Sequence, residues 1–272
     1  MGEAKRRQLN KKDFLALPEN QWCVYCGAAS STVDHFPPRN FFANRQFPEG
    51  YMYPACDACN AGKSSDEQAL SFIVSMMDWG VDDDNSSFQK HLKAVRNNRP
   101  EIIAELTALL PTQAKRHVRQ IFGNNETAYK FRAKGWGVIK LGPEAKKLLS
   151  EMCVYFGQTL FFKHNKSVFR GEVFSARVSC NFVDDPKFNF IISKLNGIPK
   201  LVHTSHDISD QFFYRYYATE GGFYAILQFR KPQVFFVICA IDEQYIPHGL
   251  IVPEGWYRSG IIGPQVKTTV SE

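Results

Sequence analysis

The sequence predicts an α+β protein, and three observations carry that expectation. Two closely spaced cysteine pairs lie in a stretch rich in Pro, Gly and aromatics over residues 20–63, segments with helical spacing follow it, and aromatic and β-branched runs dominate beyond Val168. The expected order is a basic N-terminal arm over 1–19, a cysteine-bound zinc module over 20–80, a helical connector over 81–142 and an α+β C-terminal domain over 143–272. That last domain should hold an antiparallel sheet of about five strands. At 272 residues and 44% hydrophobic content, the chain can bury a good core in one or two domains.

Residues 1–12 carry Lys5, Arg6, Arg7, Lys11 and Lys12 and have little to bury. A solvated terminus and a phosphate-contacting arm both fit that pattern. Thr32–Phe36 reads as a short extended piece. From Asp66, Leu70, Ile73, Val74 and Met77 recur at helical spacing, and Ser65 with Gln68 resembles a capping box. Residues 81–87 (Val-Asp-Asp-Asp-Asn-Ser-Ser) read as a turn, because they lack the spaced ligands and glycine of a calcium loop. Helices are expected near 87–97, 100–110 and 112–122, with Pro100 and Pro111 in first turns that tolerate proline. A longer helix should start at Pro143 and run toward Phe162. Strands are expected at 168–174, 188–192, 212–217, 223–229 and 234–239.

The formal net charge is +6, unevenly spread. Lys and Arg against Asp and Glu number 8 and 9 over residues 1–80, 11 and 6 over 81–140, and 14 and 12 over 141–272. The excess lies in the middle helices, where Arg96, Arg99, Lys115, Arg116 and Arg119 fall on polar faces. A solvated face and a nucleic-acid-facing one are both compatible with it. No run of eighteen apolar residues occurs, so no membrane span is expected, and Met1–Arg7 leads into no apolar stretch of a secretory signal. A cytoplasmic setting follows, in which thiols stay reduced and paired cysteines bind metal more often than they form disulfides.

Cys23-Val-Tyr-Cys26 and Cys56-Asp-Ala-Cys59 are the strongest signal. Two CxxC knuckles can present four sulfurs to one tetrahedral ion, a closed and therefore structural zinc site; redox-active pairs are the other reading. Cys153, Cys180 and Cys239 sit in apolar stretches and are expected to be inert core residues. Between the pairs, Asp34-His35 precedes Phe36-Pro37-Pro38; Asn60 follows Cys59 directly, and Lys63 comes three residues later. His203 and His206 lack any such framework.

In these residues the chain resembles the zinc-bound HNH (ββα-metal) nuclease family, over about residues 20–80. The resemblance implies a metal-dependent endonuclease acting on nucleic acid, with DNA the expected form. His35 would be the general base, Asp34 and Asn60 the ligands of a catalytic divalent cation such as Mg²⁺, and Lys63 a phosphate contact. Such chemistry suits these residue types, since a neutral imidazole accepts a water proton near working pH and hard cations prefer oxygen ligands. An exposed, unengaged Lys63 is the other reading. Where the family's middle Asn stands, this chain has Tyr51, so Tyr51 or Asn44 is expected to brace the loop. Asp34 and His35 would point to opposite faces of a regular strand, so their convergence needs a bend near Pro37-Pro38. The alternative function is a catalytically degenerate module that binds nucleic acid or serves as a protein adaptor. In either case the β-rich C-terminal domain could select substrate or bind a protein partner.

Overall fold

The computed structural model describes residues 10–76, 85–124, 129, 138–179, 186–229 and 234–262. Lys5, Arg6, Arg7, Met77, residues 81–84 of the expected turn and Cys180 lie outside the described residues. Helix α1 (Lys11–Ala16) takes up the described end of the basic arm, with the Asn10 side chain accepting the Asp13 amide at 2.9 Å. The expected extended piece is strand β1 (Thr32–His35), which pairs antiparallel with β2 (Met52–Ala55), Asp34 lying opposite Tyr53 and His35 opposite Met52. Helices α2 (Asp57–Gly62) and α3 (Ser64–Met76) follow at once, so residues 32–76 trace two strands and then helix.

Helix α3 already begins at Ser64, so Ser65, the expected cap, lies inside the helix. Lys63 keeps right-handed helical dihedrals, and the Glu67 amide donates to its carbonyl at 2.8 Å, so the chain barely leaves the helix between α2 and α3. Helix α4 (Asn85–Asn98) covers the expected 87–97 segment and takes in the last three residues of the expected turn, and α6 (Pro111–Phe122) matches the expected 112–122 helix to within a residue. The helix expected over 100–110 is shorter. It exists as α5 (Pro100–Ala104), after which β3 (Thr107–Ala108) pairs with β4 (Ile139–Lys140), a partner far downstream in sequence.

Helix α7 (Pro143–Asn165) organises everything else. Its first amides are capped from outside, the Glu105 carboxylate accepting from Glu144 N at 3.1 Å and Ala145 N at 2.7 Å. It buries residues on several faces because it is packed from several sides. On one side lies an antiparallel five-stranded sheet of β5 (Gly171–Ser179), β8 (Phe212–Thr219), β9 (Gly222–Phe229), β10 (Val234–Asp242) and β11 (Tyr257–Ile262). Its order is β11-β5-β10-β9-β8. Gly157 allows the close approach, since a Cβ there would stand 2.7 Å from Val173 Cγ2 on β5.

The strand count matches expectation, but one member differs. Residues 188–192 belong to helix α8 (Pro186–Lys194), and the fifth strand is β11. Phe188, Ile191, Ile192 and Leu195 carry the i, i+3, i+4, i+7 spacing of a helix, and Pro186 opens its first turn. A small ladder pairs β6 (Val202–His203) with β7 (His206–Asp207).

The other side of α7 meets the cysteine module, and one hydrophobic core runs through both. It joins Cys23, Tyr25, Phe36, Tyr51 and Tyr53 to Phe156, Phe212, Tyr214 and Phe236. The Phe36 ring lies 4.6 Å from that of Phe156, which itself lies 5.7 Å from Phe212. Gln158 Nε2 donates to the Tyr25 carbonyl at 2.8 Å. No helix of the described residues is long and apolar enough to cross a membrane.

Candidate active site and metal centre

The four cysteines converge as their spacing requires. The first knuckle closes through Gly27 N to Cys23 O (2.8 Å) and Cys23 N to Ala28 O (2.7 Å), with Gly27 in the left-handed region at φ 71°. It docks on the hairpin through Val24 N to Pro54 O at 2.9 Å. In the second, the Cys56 sulfur caps α2 and accepts from the Cys59 amide at 3.5 Å. Their sulfurs all lie within 4.8 Å of one another, and Cys26 and Cys56 approach to 3.7 Å. Such a soft, four-thiol set could hold a metal ion such as zinc. Burial pushes the Cys26 and Cys59 thiols up; at Cys56 burial acts the same way but is outweighed by hydrogen bonds from Cys59 and its neighbours, leaving it below its ordinary value. A bound dication would remove the cost of ionising them together. Cys153 is buried and Cys239 half-buried, both are free thiols, and burial pushes both up to about 12.

β1 runs as a regular strand through His35, so its two chemical residues part company. The Asp34 carboxylate turns inward and is buried. Its Oδ1 accepts the His35 amide at 2.8 Å, and its Oδ2 accepts from the Tyr25 hydroxyl and from Lys63 Nζ. Lys63 is therefore neither an exposed side chain nor a free phosphate contact. Only 3% of it is accessible, its ammonium lies 2.9 Å from the Tyr25 hydroxyl, and it sits 4.0 Å from the centroid of the Tyr25 ring. Glu67, one turn on, lies 3.5 Å from the same ammonium. Two carboxylates thus share one cation, and burial pushes Glu67 up to about 7 against the pull of Lys63.

Asn60 lies on α2 with its amide nitrogen 3.4 Å from Thr32 Oγ1, on the Asp34 face of β1. Carboxylate and carboxamide oxygens are apt donors for a hard divalent cation. In this structure, however, the Lys63 ammonium already pairs with Asp34, so a cation held by Asp34 and Asn60 would compete with it for the carboxylate. The pair gives a direct test. Lys63→Met strands a buried carboxylate and is expected to cost about 3–5 kcal/mol in urea denaturation. A loss under about 1 kcal/mol would show that Asp34 and Lys63 are not paired in the interior.

His35 faces the other way. Its ring packs edge-on against Phe47 at 4.8 Å, and its Nε2 stands 2.6 Å from Arg39 Nη2. A guanidinium offers only donors, so Nε2 accepts and the imidazole is neutral. Burial is the main reason, with Arg39 adding to it, that His35 titrates at about 4 instead of 6.5. No hydrogen bond among the described residues joins the imidazole to the Asp34 carboxylate or to Asn60. The expected bend begins one residue later, at the cis Phe36-Pro37 bond.

Tyr51, at the position of the expected brace, is buried. Its carbonyl accepts the Phe36 amide at 3.2 Å and its hydroxyl meets that of Tyr214 at 2.8 Å, tying the loop to strand β8. Asn44 is exposed in a left-handed conformation. Sequence reasoning missed Tyr25, Glu67 and Arg39. The first lies inside the CxxC knuckle, the second one helical turn after Lys63, and the third four residues after His35, so position alone offered a clue to each. His203 and His206 face each other across the β6–β7 ladder, and the four cysteines form the one metal-competent cluster among the described residues. Compared with models of protein families, with curated proteins and with solved structures, the chain matches none.

Proposed function

We infer that the chain is a zinc-stabilised, metal-dependent endonuclease of the HNH kind, hydrolysing phosphodiester bonds in nucleic acid, DNA being the form to try first. The observation that carries this reading is the placement of Asp34-His35 on β1 and Asn60 on α2 of one strand–strand–helix unit, beside four convergent thiols. In this reading zinc held by Cys23, Cys26, Cys56 and Cys59 fixes α2 against the hairpin, and so fixes Asn60, without touching substrate. His35, neutral and partly accessible, takes the proton from the attacking water. A divalent cation held by Asp34 and Asn60 would supply charge neutralisation at the phosphate and the leaving oxygen. Lys63 serves here as the resident counter-charge of Asp34, not as a substrate contact.

The same site geometry favours a second reading. Asp34 is occupied by Lys63, and the imidazole lies on the opposite face of β1, as in a module that has kept its fold and lost its chemistry. Such a module would bind nucleic acid or a protein without cutting. The two are separated by incubating purified protein with plasmid DNA and with RNA under magnesium, manganese or nickel. Cleavage that depends on the added ion supports the endonuclease. Binding without cleavage under all three ions supports the degenerate module, and neither binding nor cleavage leaves the adaptor role.

A further inference from the structure

The face of β1 that carries His35 also gathers positive charge that no carboxylate among the described residues answers. Arg39 approaches the imidazole at 2.6 Å, and its guanidinium carbon stacks 4.5 Å above the Phe47 ring centroid. Arg45 is close enough to bear electrostatically on both Arg39 and His35. Among the described residues no carboxylate lies within 4.0 Å of either arginine, whereas Lys63, Arg99 and Arg258 all have acidic partners. Arg39 Nε is moreover buried with no hydrogen-bond partner. A guanidinium with a buried, idle donor and, among the described residues, a histidine for its only hydrogen-bond partner describes a site that lacks its anion.

We propose that Arg39, with Arg45 beside it, receives a phosphodiester oxygen of nucleic acid, and that Arg39 leaves the His35 imidazole when it does so. The exchange trades a neutral acceptor for an anionic one, which favours the bound state, and it returns the Nε2 lone pair to solvent or substrate. In the absence of substrate the same contact keeps the imidazole capped and fixed against Phe47. Phosphate recognition thus passes from the buried Lys63 to the half-buried Arg39, four residues after His35. The proposal rests on the endonuclease reading for its ligand, but binding can be measured without cleavage.

The experiment follows fluorescence anisotropy of a labelled twelve-nucleotide DNA on the full chain without added divalent ion, with inorganic phosphate as competitor. Arg39→Gln is expected to weaken binding by about ten- to a hundredfold, and to lower the slope of log affinity on log salt by about one. Arg39→Lys should restore only part of the loss, because a point charge cannot reproduce the planar fork. Arg45→Gln, at an exposed position, should produce a smaller loss, and Lys147→Gln, an exposed lysine whose ammonium already has Glu151 at 4.0 Å, should leave binding within about twofold. Equal affinity and salt slope for wild type and Arg39→Gln overturns the proposal, as does a wild type that binds no DNA, or one that binds only inorganic phosphate. If Arg39→Gln loses binding while no metal supports cleavage by the wild type, the anion site stands and the hydrolytic reading falls. If the wild type cleaves and Arg39→Gln binds and cleaves equally well, the hydrolytic reading stands and the anion site falls.

Discussion

Replacing Cys23 by serine is expected to strip the metal from the protein and to destabilise the whole chain, not the first third alone. A structural zinc contributes on the order of 10 kcal/mol to a small module, comparable with the entire stability of an ordinary domain. Cys23 is fully buried, and its neighbours Val24 and Tyr25 belong to the core shared with α7 and the sheet. Losing the ion therefore removes one wall of a common interior. Purified wild type should contain about one zinc per chain by elemental analysis. Cys23→Ser should contain little, and its amides over 20–76 should lose hydrogen-exchange protection first, followed by those of α7. Metal-free wild type with unchanged thermal stability, or a Cys23–Cys26 disulfide in the isolated protein, would sink the assignment.

The second large effect concerns turnover. His35→Ala is expected to lower cleavage by on the order of 10²–10⁴ without rescue by more metal, the usual worth of a positioned general base. Asp34→Ala and Asn60→Ala should instead weaken the apparent affinity for the divalent ion and respond in part to excess cation. Asp34→Ala carries a second penalty that Asn60→Ala does not, since it leaves the buried Lys63 ammonium without its strongest partner. Zinc content should survive all three changes. An active wild type whose His35→Ala variant cuts equally well would exclude the imidazole from the chemistry.

Much of the scaffold was legible in the sequence because it is locally encoded. The cysteine spacing alone brings two knuckles together, Pro143 marks the first turn of α7, and the aromatic runs of β8, β9 and β10 announce themselves. Residues 188–192 resemble a strand in their aromatic and β-branched content, yet the helical spacing of Phe188, Ile191, Ile192 and Leu195 prevails and they lie in a helix. β11 has little apolar alternation to betray it, and α5 gives way to a ladder whose partner lies more than thirty residues away.

The site was legible in its parts and not in its pairings. Asp34, His35 and Asn60 stand out in sequence, yet what they touch is decided by groups brought in from elsewhere. The ammonium of Lys63 is enclosed by Tyr25, Phe36 and Tyr155, the last contributed by α7. A lysine after a CxxC-Asn run looks like a surface residue until that lid is in place. Likewise, the depressed basicity of His35 depends first on its burial and then on Arg39, neither visible in the strand pattern.

The hydroxyl pair between Tyr51 and Tyr214 has a consequence for the order of events during synthesis. The hairpin and its knuckles leave the ribosome early, with every thiol available for metal, yet the surface against which Tyr51, Tyr53 and Phe36 come to rest is made from α7 and β8, much later in translation. The nascent first third must therefore wait with large aromatic side chains uncovered, and Tyr51, whose carbonyl holds the Phe36 amide just after His35, gains its final footing only after residue 214 has emerged. A chain interrupted before that point would have all four thiols in hand and lack the contacts that cover the hairpin.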